Sequence, residues 1–179
     1  MSTLTTKNCL VILIDLQEKM MSAIHDADAV VCKCAILARG ARVLGVPVLV
    51  TRQYPKGLGD TIDAIKEAAG AHEPTDKTAF SCLGEDNGFA EQLTKPNIIV
   101  AGVETHICVQ QTVLDLMEQG FAVYLAADCC GSRSPVDRGY AVSRMGAAGA
   151  IVSTAESILF EMLKSADHPA RKAVQSLVK

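Results

Sequence analysis

Aromatic side chains are scarce in this 179-residue chain, at 4% of residues. Few stacking platforms are therefore available, which weighs against a large aromatic substrate. A basic run is also missing, and the net charge is −3. That argues against nucleic acid or an anionic membrane surface as main partners. No apolar run approaches the roughly 20 residues that a spanning helix requires. The first residues, MSTLTTKN, contain no apolar signal core, and the final SLVK is not a recognisable address. A cytoplasmic location is the expectation. Seven cysteines are present without a CxxC pair, so neither a disulfide framework nor a zinc ribbon is expected. A reducing compartment follows. Cys9, Cys32, Cys34, Cys129 and Cys130 lie within or beside apolar runs and read as buried small hydrophobes.

Hydrophobic residues are plentiful at 49%, enough for a sizeable core in a single domain over residues 1–179. CLVILID (9–15) is a continuous apolar run closed by Asp15, as in a strand buried on both faces of a parallel sheet. A helical stripe follows from about residue 27 to Leu44, with Gly45 as its stop. Strands are expected at 46–52 and 97–103, in 121–128 and at 150–153. A short third strand is expected after the loop 73–81. Helices are expected at 61–69, 85–93, from about Thr105 to Gly120, at 135–147 with Ser134 as cap, at 154–163, and from Asp167 to about 178. Residues 53–60, rich in Pro and Gly, read as a loop.

Strands alternating with helices imply a three-layer α/β/α fold, Rossmann-like, with a six-stranded, mostly parallel sheet in the order 3-2-1-4-5-6. In that order strands 1 and 4 are neighbours, and the crevice opens at their carboxyl ends. Asp15 ends strand 1. Cys108 follows strand 4, in the first turn of the next helix. Unpaired N–H groups and partial positive charge at a helix start stabilise a thiolate and lower a cysteine pKa. A cysteine nucleophile needs help with its proton and its charge. Asp15 is placed to accept the proton, and Lys77, at the start of the short third strand, is the candidate to favour the thiolate. N–H groups around Val103 to Cys108 would form an oxyanion hole. His106 is a rival base, but residues two apart on a helix do not face each other. Gln17 lies two residues beyond Asp15, toward the same crevice. Gln53, Tyr54, Phe80 and Thr105 are candidate substrate-binding walls. Phe80 reads equally well as core, and Thr105 as a helix cap.

LIDLQ, DKTAFS and GVETHICV, in this order and spacing, resemble the isochorismatase-like superfamily of cysteine hydrolases over nearly the whole chain. TRQYPKGLG, DCCGSRSPVDR and DHPARKAVQSLVK resemble its isochorismatase-domain-containing subgroup. The resemblance implies a triad of Asp15, Lys77 and Cys108. It also implies a cis peptide between Val103 and Glu104, which would aim the Glu104 N–H with that of Cys108 as the oxyanion hole. Nicotinamidases of the superfamily carry an Asp-x-His metal site after the second strand. Here Gln53-Tyr54-Pro55 stands in its place, so neither a metal nor another cofactor is expected. Isochorismatases proper cleave a vinyl ether without needing the cysteine. The presence of Cys108 favours attack on a small amide-like C–N bond through a thioester. A vinyl-ether hydrolase and a catalytically weak binding or scaffold member are the alternatives. The expected partners are a small-molecule substrate and other copies of the chain, in a dimer or larger ring. Surplus apolar residues among Val142, Met145, Ile158, Leu159 and Met162 would face the neighbouring copy.

Overall fold

The computed structural model describes residues 3–70 and 73–179; Met1, Ser2, Ala71 and His72 lie outside the described residues. Its centre is a parallel sheet of six strands. They are β1 (Cys9–Ile14), β2 (Val48–Gln53), β3 (Thr75–Lys77), β4 (Asn97–Val103), β5 (Ala122–Gly131) and β6 (Ile151–Ser153). The order across the sheet is β3-β2-β1-β4-β5-β6, as expected from the strand and helix alternation. All adjacent pairs run parallel.

Eight helices accompany these strands among the described residues. They are α1 (Glu18–Met21), α2 (Ala27–Val43), α3 (Pro55–Leu58), α4 (Asp63–Ala69), α5 (Gln110–Glu118), α6 (Pro135–Ala148), α7 (Ala155–Leu163) and α8 (Arg171–Val178). Side chains alternate across a strand, and β1 shows why its run is apolar throughout. Cys9, Val11 and Leu13 join one core cluster, packed with α2, α4 and α7. Leu10, Ile12 and Ile14 join the other, packed with α5 and α6.

Several local expectations need correction. Residues 85–93 form a loop with only a 3₁₀ turn at Ala90–Gln92. Glu85 is drawn away to Thr78, and the Asn87 side chain accepts from the Phe89 N–H, forming a turn in place of a helix. The final helix starts at Arg171, not Asp167. The helix before it is capped by Thr154, one residue later than the Ser153 spacing suggested. Ser134 caps α6 as expected, accepting from the Asp137 N–H. Cys32 is exposed: Val30, Cys34, Leu37 and Ala41 carry the buried stripe of α2, and residue 32 falls on the opposite side.

β5 departs from regular pairing in a way that shapes the site. Val100 pairs with Leu125, but Gly102 pairs with Cys130, so β5 bulges between them. Arg138 from α6 holds the bulge by donating to the carbonyls of Ala127 and Cys130. Met145, Ile158, Leu159 and Met162 are all buried within the chain, so the apolar surplus lies elsewhere. On these two helices Val136, Tyr140 and Phe160 are the exposed large apolar residues. Among the described residues, no helix is long and apolar enough to cross a membrane.

Candidate active site

The carboxyl ends of β1, β2, β3 and β4 meet over one small polar centre. Asp15 directly follows β1, with φ of 55°, a left-handed conformation that Asp adopts more readily than most residues. Lys77 is the last residue of β3, not its first as expected. Their side chains form an ion pair with no exposed surface, Lys77 Nζ donating to Asp15 Oδ2 at 2.7 Å. Lys77 Nζ also meets Gln53 Oε1 (2.6 Å), the Phe80 carbonyl (3.0 Å) and the Ala79 carbonyl (3.3 Å). Thr51, in β2 beside β1, donates to the second Asp15 oxygen at 2.8 Å. The sequence reading missed Thr51, although the β1–β2 pairing would have pointed to it.

β4 delivers the fourth component. The Val103–Glu104 peptide is cis, as the resemblance implied. The chain then enters a single π-helical turn, Thr105–Val109, where an ordinary helix start was expected. The Glu104 carbonyl accepts from the N–H groups of Ile107 (3.0 Å) and Val109 (3.2 Å), on either side of Cys108. Cys108, 3% exposed, lies in this turn. Its thiol donates to Gln53 Oε1 at 3.9 Å and lies close enough to Asp15 for that charge to act on it. The structure thus brings Asp15, Lys77 and Cys108 together around Gln53.

The proton state of the sulfur differs from the expectation. Burial, followed by the Asp15 charge, pushes the Cys108 thiol up to about 12, and Lys77 only partly offsets this. Burial and the Asp15 charge both favour the thiol form of this sulfur. Burial also raises the Asp15 carboxyl, against the pull of the Lys77 charge and of hydrogen bonds from Lys77 and Thr51. A carboxylate raised in this way is a better proton acceptor. Burial opposes the Lys77 charge, but Asp15 and the neighbouring sulfurs of Cys108 and Cys82 raise Lys77 on balance. Cys82 is a second buried thiol beside the centre, also pushed up by burial, to about 11. Thr112 bridges the two segments, accepting from the Cys82 N–H and donating to the Cys108 carbonyl.

The other candidates occupy different positions. Gln17 is fully buried, and its amide is engaged by the main chain of Gln53 and Gly59. Thr105 is buried and donates to the Gly131 carbonyl at 2.9 Å, so it ties β4 to β5 and caps no helix. Tyr54 and Phe80 are each 54% exposed, so Phe80 is not core. His106 pairs with Ser132 at 3.0 Å. The Glu104 side chain accepts from the Arg133 N–H and Nε, both at 3.0 Å. A cavity of about 260 Å³ reaches Glu104, between Lys19, Ile24 and Arg133. Another of about 300 Å³ is lined by His25, Asp128, Ser132 and Arg138, and neither cavity is lined by Asp15, Lys77 or Cys108. Among the described residues, no three His, Cys, Asp or Glu side chains are grouped to hold a metal ion.

Known proteins share this architecture and much of the sequence. The chain is 41% identical over 167 residues to isochorismatase domain-containing protein 1 of Salmo salar, covering 92% of this chain and 59% of that protein. The chain thus spans about three-fifths of that relative's length. The structure of MAR1 ribonuclease from Caenorhabditis elegans superposes with a TM-score of 0.93 at 37% identity, over 99% of this chain and 92% of that one. YcaC from Pseudomonas aeruginosa, solved with hexane-2,5-diol and covalent acrylamide, gives 0.87 at 25% identity, over 98% and 88%. The Isochorismatase domain itself matches residues 9–157, and the chain belongs to the isochorismatase family.

Proposed function

We propose that the protein is a cysteine hydrolase that cleaves a small amide-like C–N bond. The observation that carries this reading is the convergence of three side chains from separate strand ends. Asp15 is paired with Lys77 at 2.7 Å, and both charges act on the Cys108 thiol, which contacts Gln53 Oε1 beside Lys77. The resting thiol fits a mechanism in which the proton leaves only as the substrate is attacked. Asp15 takes the Cys108 proton, and Lys77 balances the charge that remains. The sulfur attacks the amide carbonyl carbon, forming a C–S bond, and the Glu104 and Cys108 N–H groups receive the oxyanion. Asp15 returns the proton to the nitrogen as the C–N bond breaks and ammonia or an amine departs. It then takes a proton from water, which attacks the thioester and frees the acid and the thiol.

Exposed Tyr54 and Phe80 support a rim for the substrate. Seven free cysteines support a reducing, cytoplasmic setting. Exposed Val136 and Tyr140 support a homo-oligomer. The ribonuclease name of the similar C. elegans structure belongs to that protein; the absence of a basic run favours a small neutral substrate here.

The test is ammonia release from a panel of small primary amides, with a structured and a single-stranded RNA alongside. Wild-type turnover of at least one amide, abolished in Cys108→Ala and accompanied by an acyl adduct on Cys108 in the mass spectrum, is expected. Equal rates for both proteins would sink the amidase reading. Cleavage of RNA alone would replace it with a nuclease reading, and no turnover at all with a binding role.

A further inference from the structure

Gln17 and Gln53 were expected to line the substrate pocket, but their hydrogen bonds describe another role. Gln17 Nε2 donates to the carbonyls of Gln53 (3.0 Å) and Gly59 (2.7 Å), and Gln17 Oε1 accepts the Gln53 N–H (2.7 Å). A carboxamide has two N–H donors, so both are occupied by main chain. Gln17 therefore fixes the backbone from which the Gln53 side chain projects. That side chain is itself oriented: Nε2 donates to the Thr78 carbonyl at 2.7 Å. The opposite amide orientation would set an NH₂ group against the Lys77 ammonium, so chemistry settles the assignment. Oε1 is left facing Lys77 Nζ at 2.6 Å and the Cys108 sulfur at 3.9 Å.

We infer that Gln53 is a positioning residue, held by Gln17 and Thr78, whose Oε1 keeps the Cys108 nucleophile in its thiol form until substrate arrives. Three effects act with one sign. Oε1 accepts from the S–H group, which favours the protonated form. Its partial negative charge faces any thiolate. It also engages Lys77 donors that would otherwise turn toward sulfur. The other charged or titratable groups facing Cys108 are Asp15 from β1, Lys77 from β3 and Cys82 from the segment after β3. Those nearby on the turn and on α6 are turned elsewhere. Glu104 is bound to Arg133, His106 to Ser132, and Arg138 to the carbonyls of the β5 bulge.

This inference rests on Cys108 being the reacting thiol, and its test reads that thiol directly. Acrylamide labelling of Cys108, located by peptide mass, is followed against pH in the wild type, Gln53→Leu and Gln53→Glu. Leucine removes the acceptor, and glutamate keeps it while adding a charge. The midpoint pH is expected to rise in the order Gln53→Leu, wild type, Gln53→Glu, with steps of about one unit, the size of a single nearby charge effect. A merely structural tie between β2 and the loop at Thr78 would loosen in both variants and lower both midpoints, which overturns the inference. Label absent from Cys108 in all three proteins would remove the nucleophile reading as well; label in the wrong order removes the inference alone. If a variant does not fold, nuclear magnetic resonance of the wild type decides. The Gln53 Nε2 protons must shift with the same midpoint as Cys108 alkylation, and resonances unmoved through that titration overturn the proposal.

Discussion

Gly102 lies directly against the main chain of Ile14. A Cβ at residue 102 would stand 2.2 Å from the Ile14 carbonyl oxygen and 2.6 Å from its nitrogen. Gly102 also has φ of +126°, a conformation that other residues rarely adopt. The two strands that carry Asp15 and Cys108 therefore approach closely just where both leave the sheet. Gly102→Ala sets a methyl group against backbone, which no rotamer change relieves. A loss of about 3 kcal/mol or more is expected, at the severe end for single substitutions. The urea unfolding midpoint checks it; an alanine variant within about 0.5 kcal/mol of wild type would show that the strands can separate freely.

The Asp15–Lys77 pair makes a second prediction. Both side chains are fully buried, so removing either leaves a charge without its partner. Lys77→Met and Asp15→Asn should each cost about 3–5 kcal/mol, whereas the double variant should cost clearly less than their sum. Chemical denaturation of the four proteins completes the cycle. Strict additivity would mean that water reaches the pair in solution.

The legible part of the site was topological. An apolar run ending in Asp15 and another ending before Cys108 were enough to place both residues at neighbouring strand ends, once the strand order was assumed. Lys77 could not be found that way. β3 has only three residues and no periodicity, so its lysine was a candidate by charge type, and the motif resemblance was needed to set it beside Asp15 and Cys108. The proton state of Cys108 was read with the wrong sign. A helix start is visible in sequence, but the burial that raises the thiol comes from whatever packs above the turn. Gln17 and Thr105 were misjudged for a related reason: their partners are main-chain atoms of Gln53, Gly59 and Gly131, which carry no side-chain signal. The helix expected at 85–93 failed because Glu85 and Asn87 make loop contacts that propensity does not register.

Buried thiols give a pH dependence with a definite sign. Cys9 and Cys82 are pushed up to about 11 and Cys108 to about 12, in each case mainly by burial. The folded chain thus holds these protons where the unfolded chain has released them. Their contribution is fully present below about pH 8.5, the ordinary thiol value, and is lost as pH rises toward the folded values. Each group adds a slope of up to about 1.4 kcal/mol per pH unit over that window. Lys77, also raised, acts in the same direction at higher pH. Unfolding midpoints in urea should fall from pH 9 to 11, and Cys82→Ser should flatten the fall. A midpoint constant over that range would mean the thiols are more hydrated in solution than their burial implies.

Assembly can be tested on α6. Val136 is 66% exposed and Tyr140 is 76% exposed, one helical turn apart on the same face. The same helix packs against the π-helical turn that holds Cys108 and pins the β5 bulge through Arg138. A second chain seated on Val136 and Tyr140 would therefore stiffen the turn from outside as well as cover apolar surface. Light scattering at micromolar concentration should give more than one chain mass. Tyr140→Lys together with Val136→Lys should shift it toward the monomer with the circular dichroism unchanged. If dissociation also speeds hydrogen exchange of the Thr105–Val109 amides, the association is coupled to the site; unchanged exchange would confine its role to surface coverage. A wild-type protein that scatters as a monomer would rule out the assembly.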